Sequence, residues 1–143
     1  MAIIDAQNRP SNAQSLAGAA ATTVSTDSID LLTANRNVGR GKSIRGQVLV
    51  AAAFTGGTNV FVQMITSASS NLASPTVIAT GATVVDANAT AGASLFDAPI
   101  PGTAQRYLGF QYTTTGVHTT GTVNAHFVAE TTNQPYVTAN TGL

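Results

Sequence analysis

Cysteine and tryptophan are absent from this 143-residue chain, and charged side chains make up only 8% of it. Without cysteine, neither disulfides nor thiolate metal sites are available. Ordinary soluble domains carry about 25% charged residues, so the polar surface here must be built from Thr, Ser, Asn, Gln and Gly. A weakly charged surface with zero formal net charge resists self-association poorly. We infer that copies of the chain or a larger partner cover much of this surface. The alternative is that the low charge only reflects an amino-acid composition typical of the organism of origin.

Long apolar runs and a basic excess are also missing. The start MAIIDAQNRP has neither the basic residues nor the apolar run of a signal peptide. The Ala-rich patch at 16–21 is far shorter than the roughly 18 apolar residues of a membrane span. Six Lys and Arg are balanced by six Asp and Glu, which disfavours a nucleic-acid-binding protein. We therefore expect neither membrane nor nucleic acid as a partner.

The clearest pattern lies between Gln105 and Thr131. Residues 105–112 and 123–130 alternate in parity, and a period of two is that of a β-strand. The segment between them, TTGVHTTG, carries two glycines of the kind that turns need. The pattern predicts two antiparallel strands joined by a loop, with a large apolar face that forms the core. The side chains predicted on that face include Leu108, Phe110, Tyr112, Val123 and Phe127.

Shorter strands are predicted elsewhere. Residues 44–54 and 59–65 flank the sequence TGGT, and a Gly-Gly centre between β-branched and aromatic residues predicts a hairpin. No convincing helix longer than two turns is found. Many short strands with Gly and Pro turns predict an all-β, single-domain β-sandwich that is jelly-roll-like. The remaining strand candidates are residues 29–34, 76–80, 82–85 and 93–97.

Residues 1–28 show no lasting period, and we interpret them as an extended N-terminal arm that precedes a β-sandwich domain at residues 29–143. The arm begins with Ile3 and Ile4, which a free tail would leave in water. Ordering a tail costs roughly 1–2 kcal/mol of backbone entropy per residue. We therefore expect the arm to become ordered against a partner; the alternative is a disordered terminus.

Residues 35–45 form a predicted loop that holds four of the six cations and no acid. Its GKS ending resembles that of a phosphate-binding loop. However, Arg36 stands where the first glycine of that motif belongs, and Ser43 leads into a strand instead of a helix. A solvated basic loop and a docking surface for an acidic partner both remain open. The four cations are Arg36, Arg40, Lys42 and Arg45.

Catalytic and metal chemistry find little support. His118 is predicted in a loop, and His126 on the more polar face of the last strand. His126 and Glu130 lie roughly 13 Å apart at strand rise, whereas a metal site needs three or four converging ligands. There is no GxSxG elbow, and no acid stands near either histidine in the sequence. We expect no metal, no cofactor and no enzymatic activity.

Four parts of the chain follow one another in a distinctive order: MAIIDAQN, IDLLTANRNVGRGKSI, AFTGGTNVFVQMITSAS, and RYLGFQYTTTG with GTVNAHFVAE. This ordered set resembles the capsid cement (decoration) proteins of tailed phages, of the Bordetella-phage type, over nearly the whole chain. The resemblance implies a jelly-roll-like sandwich that binds the outer face of an HK97-type shell and reinforces joints between capsomers. It implies the major capsid protein as partner and a homo-oligomer, dimer or trimer, on the shell. The protein would be made in the bacterial host cytoplasm and end on the outer capsid surface of the virion.

Contacts with the capsid are predicted at the apolar start of the arm and at the basic loop. The alternative function is a receptor- or glycan-binding β-domain of a phage tail fibre or spike, because such domains also favour Thr, Asn and Gly. Those domains usually follow long fibrous segments. The predicted contact residues are Ile3, Ile4, Arg9, Arg36, Arg40, Lys42 and Arg45.

Overall fold

The computed structural model describes residues 9–31, 44–101 and 105–129, and over these ranges the protein is all-β. A single 3₁₀ turn, Asp86–Asn88, interrupts the strands within this part of the chain, and every strand pair is antiparallel. The strands are β1 (Ser11–Ser15), β2 (Thr22–Val24), β3 (Ile29–Asp30), β4 (Ile44–Ser67), β5 (Thr76–Thr80), β6 (Val84–Val85), β7 (Ser94–Pro99) and β8 (Tyr107–Ala129).

Two strands dominate the fold. β4 has 24 residues and β8 has 23, and they pair with each other along nearly their whole length. The register between them shifts only between Val50 and Asn59 of β4. At the same level Gly56 and Gly116 adopt positive φ angles of 91° and 85°, which cost glycine little because it has no Cβ. Both long strands therefore bend together at one place.

The bend folds each long strand back over itself. Phe110 and Phe127 both belong to β8, and a straight strand would hold them about 55 Å apart. Instead their rings stack, with centroids 5.0 Å apart. Within β4, a Cβ added to Gly46 would lie 2.5 Å from Cε of Met64. The two halves of each strand thus belong to opposite layers of a sandwich, and the core lies between the layers.

Each layer contains four strand positions. In the first layer the neighbouring strands are, in order, β1, the second half of β8, the first half of β4, and β7. The second layer runs β2 with β3, first half of β8, second half of β4, β5 with β6. For this comparison, each half of β4 and of β8 counts as one position, and β2 with β3 and β5 with β6 each count as one. Numbered along the chain, the eight positions then have the order 1-8-3-6 in the first layer and 2-7-4-5 in the second. This is the strand order of a jelly roll. The predicted all-β, jelly-roll-like sandwich is confirmed.

The core contains the side chains that the alternating pattern predicted. Phe110 is fully buried, stacks on Phe127 and meets Phe96 of β7 edge-on at 5.7 Å. Tyr112 is also fully buried, and its hydroxyl shares a 2.7 Å hydrogen bond with Ser11 Oγ. Burial raises the pKa of the Tyr112 phenol, because an apolar interior disfavours its anion. The predicted core residues that are buried are Leu108, Phe110, Tyr112, Val123 and Phe127.

Both predicted chain reversals are wrong. The TGGT segment at 55–58 and the break at 113–121 lie inside β4 and β8, so neither joins two paired strands. Positive-φ glycines permit a hairpin turn, but they also permit a bulged bend in a strand that continues. Here β4 pairs with β8 on both sides of the bend. Each strand therefore passes from one layer to the other instead of turning back to pair with itself.

The structure also corrects the predicted arm over residues 9–28. β1 and β2 belong to those residues, and both pair with β8. Leu16 is 6% exposed and lies in the hydrophobic core. Short strands with a register shift show no lasting period in the sequence, so the alternating pattern does not predict them. Residues 1–8, with Ile3 and Ile4, lie outside the described residues.

Candidate interaction surfaces

Two of the predicted contact cations, Arg9 and Arg45, fall within the described residues, and both belong to the first layer or its margin. Arg45 stands one residue into β4, and Arg9 stands two residues before β1. The cations Arg36, Arg40 and Lys42 lie outside the described residues. They belong to the segment that enters the first layer at Ile44, beside Arg45.

Arg45 is not a free cation. Its Nε lies 2.6 Å from Asp97 Oδ1, and its Nη2 donates to the Asp97 backbone carbonyl at 3.2 Å. Gln47 reaches the other oxygen of the same carboxylate with its Nε2, at 3.4 Å. Both side chains point away from the core, since Gly46 and Val48 between and beside them point inward. Arg45 is therefore a paired group on the outer face of the first layer.

His126 extends this polar network across the layer. Its Nε2 lies 3.1 Å from Gln47 Oε1, so a line of hydrogen bonds joins β8, β4 and β7. The residue is 3% exposed although it faces outward, opposite to Ala125 and Phe127. Desolvation lowers the pKa of His126, and the nearby charge of Arg9 lowers it further.

The outer face of the second layer is different in character. Over residues 59–63 of β4 and 111–115 of β8 it carries no charged side chain. Phe61 is half-buried in this face and lies opposite Thr113. At its far end, Arg106 pairs with Asp30 through two 2.9 Å contacts, and that hydrogen-bonded pairing raises the pKa of Arg106. The two faces of the sandwich are thus a charged polar network and a neutral surface of Thr, Gln and Phe.

The neutral layer also carries exposed apolar side chains at its edge. Val77 of β5 and Val85 of β6 are 44% and 47% exposed. Next to them, a groove of about 250 Å³ separates the residues that follow β5 from β7. Asp97 is the charged residue in its lining, and Arg45 already pairs with it. The lining residues are Thr80, Gly81, Ala82, Ser94, Leu95, Phe96, Asp97 and Ala98.

His118, predicted to be an exposed loop residue, lies inside the sandwich and is 2% exposed. Its Nε2 is 2.9 Å from Asp86 Oδ1, and the N–H of Gly57 donates to Asp86 Oδ2 at 3.0 Å. The backbone of His118 also exchanges two hydrogen bonds with Gly18. His118 therefore joins the bend of β8 to β4, to the 3₁₀ turn and to the link between β1 and β2.

The ring of His118 is closely packed on several sides. A Cβ added to Gly57 would lie 2.3–2.5 Å from the ring atoms, and the ring of Phe54 meets the imidazole edge-on at 5.4 Å. Nδ1 is buried without a hydrogen-bond partner. The pair that His118 forms with Asp86 therefore joins the bend of β8 to the 3₁₀ turn, with the imidazole buried and the carboxylate partly exposed.

Within the described ranges, no group of three His, Asp or Glu side chains could hold a metal ion. The predicted separation of His126 from Glu130 is not tested, because Glu130 lies outside those ranges. No helix in the described part of the chain has the length and apolar character needed to cross a membrane.

Comparison with known proteins gives the chain a family. A family model described as Bbp16 matches residues 11–127. The chain belongs to the Bbp16 family. The family name suggests a Bordetella phage protein, which agrees with the phage origin implied by the resemblance. No curated protein matches the chain.

The Bbp16 match spans the strands from the start of β1 to Phe127, near the end of β8. It therefore includes the basic loop, the His118–Asp86 pair and both outer faces, whereas Arg9 and the residues before it precede the match. The His118–Asp86 pair could not be predicted from the sequence, because the two residues are 32 positions apart and meet only through the bend. Gly57, within TGGT, is a signal that could locate this contact, because a glycine can mark close packing as well as the predicted turn.

Proposed function

We propose that this Bbp16-family protein is a capsid decoration, or cement, protein. It binds the outer surface of an assembled HK97-type shell and stabilises contacts between capsomers. The observation that carries the proposal is the family match, which extends over the whole jelly-roll sandwich and brings a phage origin with it. The major capsid protein is its partner, and the protein has no enzymatic activity of its own.

The surfaces of the sandwich support a role in binding. Uncharged Thr, Gln and Phe side chains form the outer face of the second layer, and exposed valines border it. Cations are concentrated in the segment that enters the first layer beside Arg45. An extended protein partner could use both: apolar and hydrogen-bonding contacts on the neutral face, and charge on the basic loop. We propose a homo-oligomer, dimer or trimer, as the bound form.

The proposed location follows from the partner. The protein is made in the cytoplasm of the bacterial host and ends on the outer capsid surface of the virion. It joins the shell after assembly, since a protein that bridges capsomers needs neighbouring capsomers as its binding site.

Co-sedimentation tests the proposal against the tail-fibre alternative. Purified protein is mixed with assembled empty shells of the same phage, with unassembled capsid protein, and with host cells. A decoration protein pellets with shells and binds unassembled capsid protein much more weakly. Binding to cells or their glycans, without binding to shells, supports a receptor-binding domain of a tail fibre or spike and refutes the proposal.

A further inference from the structure

His126 occupies an unusual position for a titratable residue. It points outward from the first layer, yet it is 3% exposed, and its ring forms a hydrogen bond with the neutral amide of Gln47. A buried imidazole without a directly bonded carboxylate disfavours its charged form, because burial removes water that would solvate the cation. Protonation of His126 would therefore place a poorly solvated positive charge in the first layer.

The charged groups around His126 come from three directions. On β4 and β7, Gln47 separates it from Asp97, and the Asp97 carboxylate is already paired with Arg45. On its own strand, β8, the neighbouring outward residue is the neutral Asn124. On the β1 side, Arg9 stands two residues before the strand, and its positive charge disfavours a second cation at His126. A protonated His126 would therefore face the cation of Arg9, which forms no ion pair among the described residues, on one side and a carboxylate that is already in an ion pair on the other.

The register brings the start of β1 alongside His126. Ser11 lies opposite Ala125 in the antiparallel pair of β1 and β8, so the residues before Ser11 continue past His126. Arg9 itself is held by a 3.0 Å bond from its Nη1 to Asn12 Oδ1.

The adjoining end of β1 is irregularly bonded. The register shifts between Ser11 and Gln14, and Ala13 has a positive φ of 48°. The N–H of Ala13 donates to the side chain of Asn124, at 2.7 Å, instead of to a backbone carbonyl. This end of the strand therefore depends on side-chain contacts with β8 near His126. Such an end opens more easily than a regular ladder.

We propose that His126 and Arg9 form an acid-sensitive latch that controls the start of β1. Protonation of His126 places a second cation beside Arg9 and loosens residues 9–13 from β8. The inference does not depend on the proposed capsid function. Its sign follows from proton linkage: the opened segment lets His126 titrate near its ordinary value of about 6.5, whereas the closed segment holds its pKa lower. Opening is therefore favoured as pH falls below about 6.5.

Amide hydrogen exchange measured by NMR tests the latch in the full-length protein. Exchange rates at pH 7.5 and 5.0 are converted to protection factors, which removes the intrinsic effect of pH on exchange. Protection of the Ala13 amide should fall clearly at pH 5.0, because the opened segment binds the proton on His126 more tightly than the closed segment does. Protection of the Leu16 amide, which bonds to the Gly121 carbonyl at 2.9 Å, should change much less. A wild-type protein whose Ala13 protection is equal at both pH values contradicts the latch.

Two variants separate His126 from other titrating groups. His126→Gln should abolish the pH-dependent loss at Ala13, and Arg9→Gln should reduce it. His118 is present in both variants, so an effect that survives in His126→Gln belongs to another group and overturns the proposal. If His126→Gln fails to fold, the imidazole of His126 can be titrated in the wild-type protein. A midpoint below about 6.5 supports the latch, and a midpoint at or above that value overturns it.

Discussion

Phe110 lies where both layers meet, in contact with Phe127 of its own strand and Phe96 of β7. Phe110→Ala should lower the free energy of unfolding by roughly 3–5 kcal/mol, because truncating a buried Phe removes apolar contacts and leaves a cavity. Chemical denaturation of the two proteins measures the difference. Phe61→Ala is the matched control, since Phe61 is half-buried on the outer face and should cost clearly less. Equal losses for the two variants would place the core elsewhere.

Gly57 leaves room for the ring of His118, which is distant in the sequence. Gly57→Ala should destabilise the protein by roughly 1–3 kcal/mol, the usual cost of overpacking a core, because the new methyl group would collide with the His118 ring. In a His118→Ala background the ring is gone, so the same substitution should cost much less. Unfolding free energies of the four proteins in this cycle measure the coupling. Additive effects would show that Gly57 and His118 do not constrain each other.

β1 and Leu16 lie in the segment that the sequence predicts to be an arm, but both are part of the folded sandwich. Ser11 shares a buried hydrogen bond with Tyr112, and Leu16 contributes to the core. Deleting residues 2–16 should lower the melting temperature by roughly 10 °C or more, given about 2–5 kcal/mol for a lost core leucine alone. Leu16→Ala tests the leucine separately, and Ala19→Ser, at an exposed position, is the control. A truncated protein that melts like the full-length protein would restore the interpretation as an arm.

The alternating segments could be predicted because parity is a local property: each of the predicted core residues between Leu108 and Phe127 is buried. The paths of β4 and β8 could not, because a glycine at positive φ serves a turn and a bend equally well. What decides between them is the partner strand, and β4 and β8 are separated by many residues. The same limit applies to the candidate surfaces. The ion pair of Arg45 could not be predicted, because Asp97, its partner, lies 52 residues farther along the chain.

The charge of the molecule is unevenly distributed, and this makes the role of the basic loop testable. Under the proposed function, binding to shells should weaken as salt is added, because exposed charges more than about 10 Å apart are largely screened at 0.1 M. Replacing Arg36, Arg40 and Lys42 together with Gln should flatten that dependence in co-sedimentation assays. Arg45→Gln is the matched control: Arg45 is already paired with Asp97, so the slope should change little. An unchanged slope in the triple variant would mean that the loop is only a solvated turn.

The central claim is that the protein stabilises an assembled shell, and calorimetry of empty shells with and without bound protein tests it most directly. A ligand that binds only the assembled form raises its stability by mass action, and many weak sites on one lattice add together. Decorated shells should therefore disrupt at a higher temperature than bare shells, and the increase should grow with protein concentration until the sites are filled. Shells that bind the protein and yet disrupt at the same temperature as bare shells would contradict the claim.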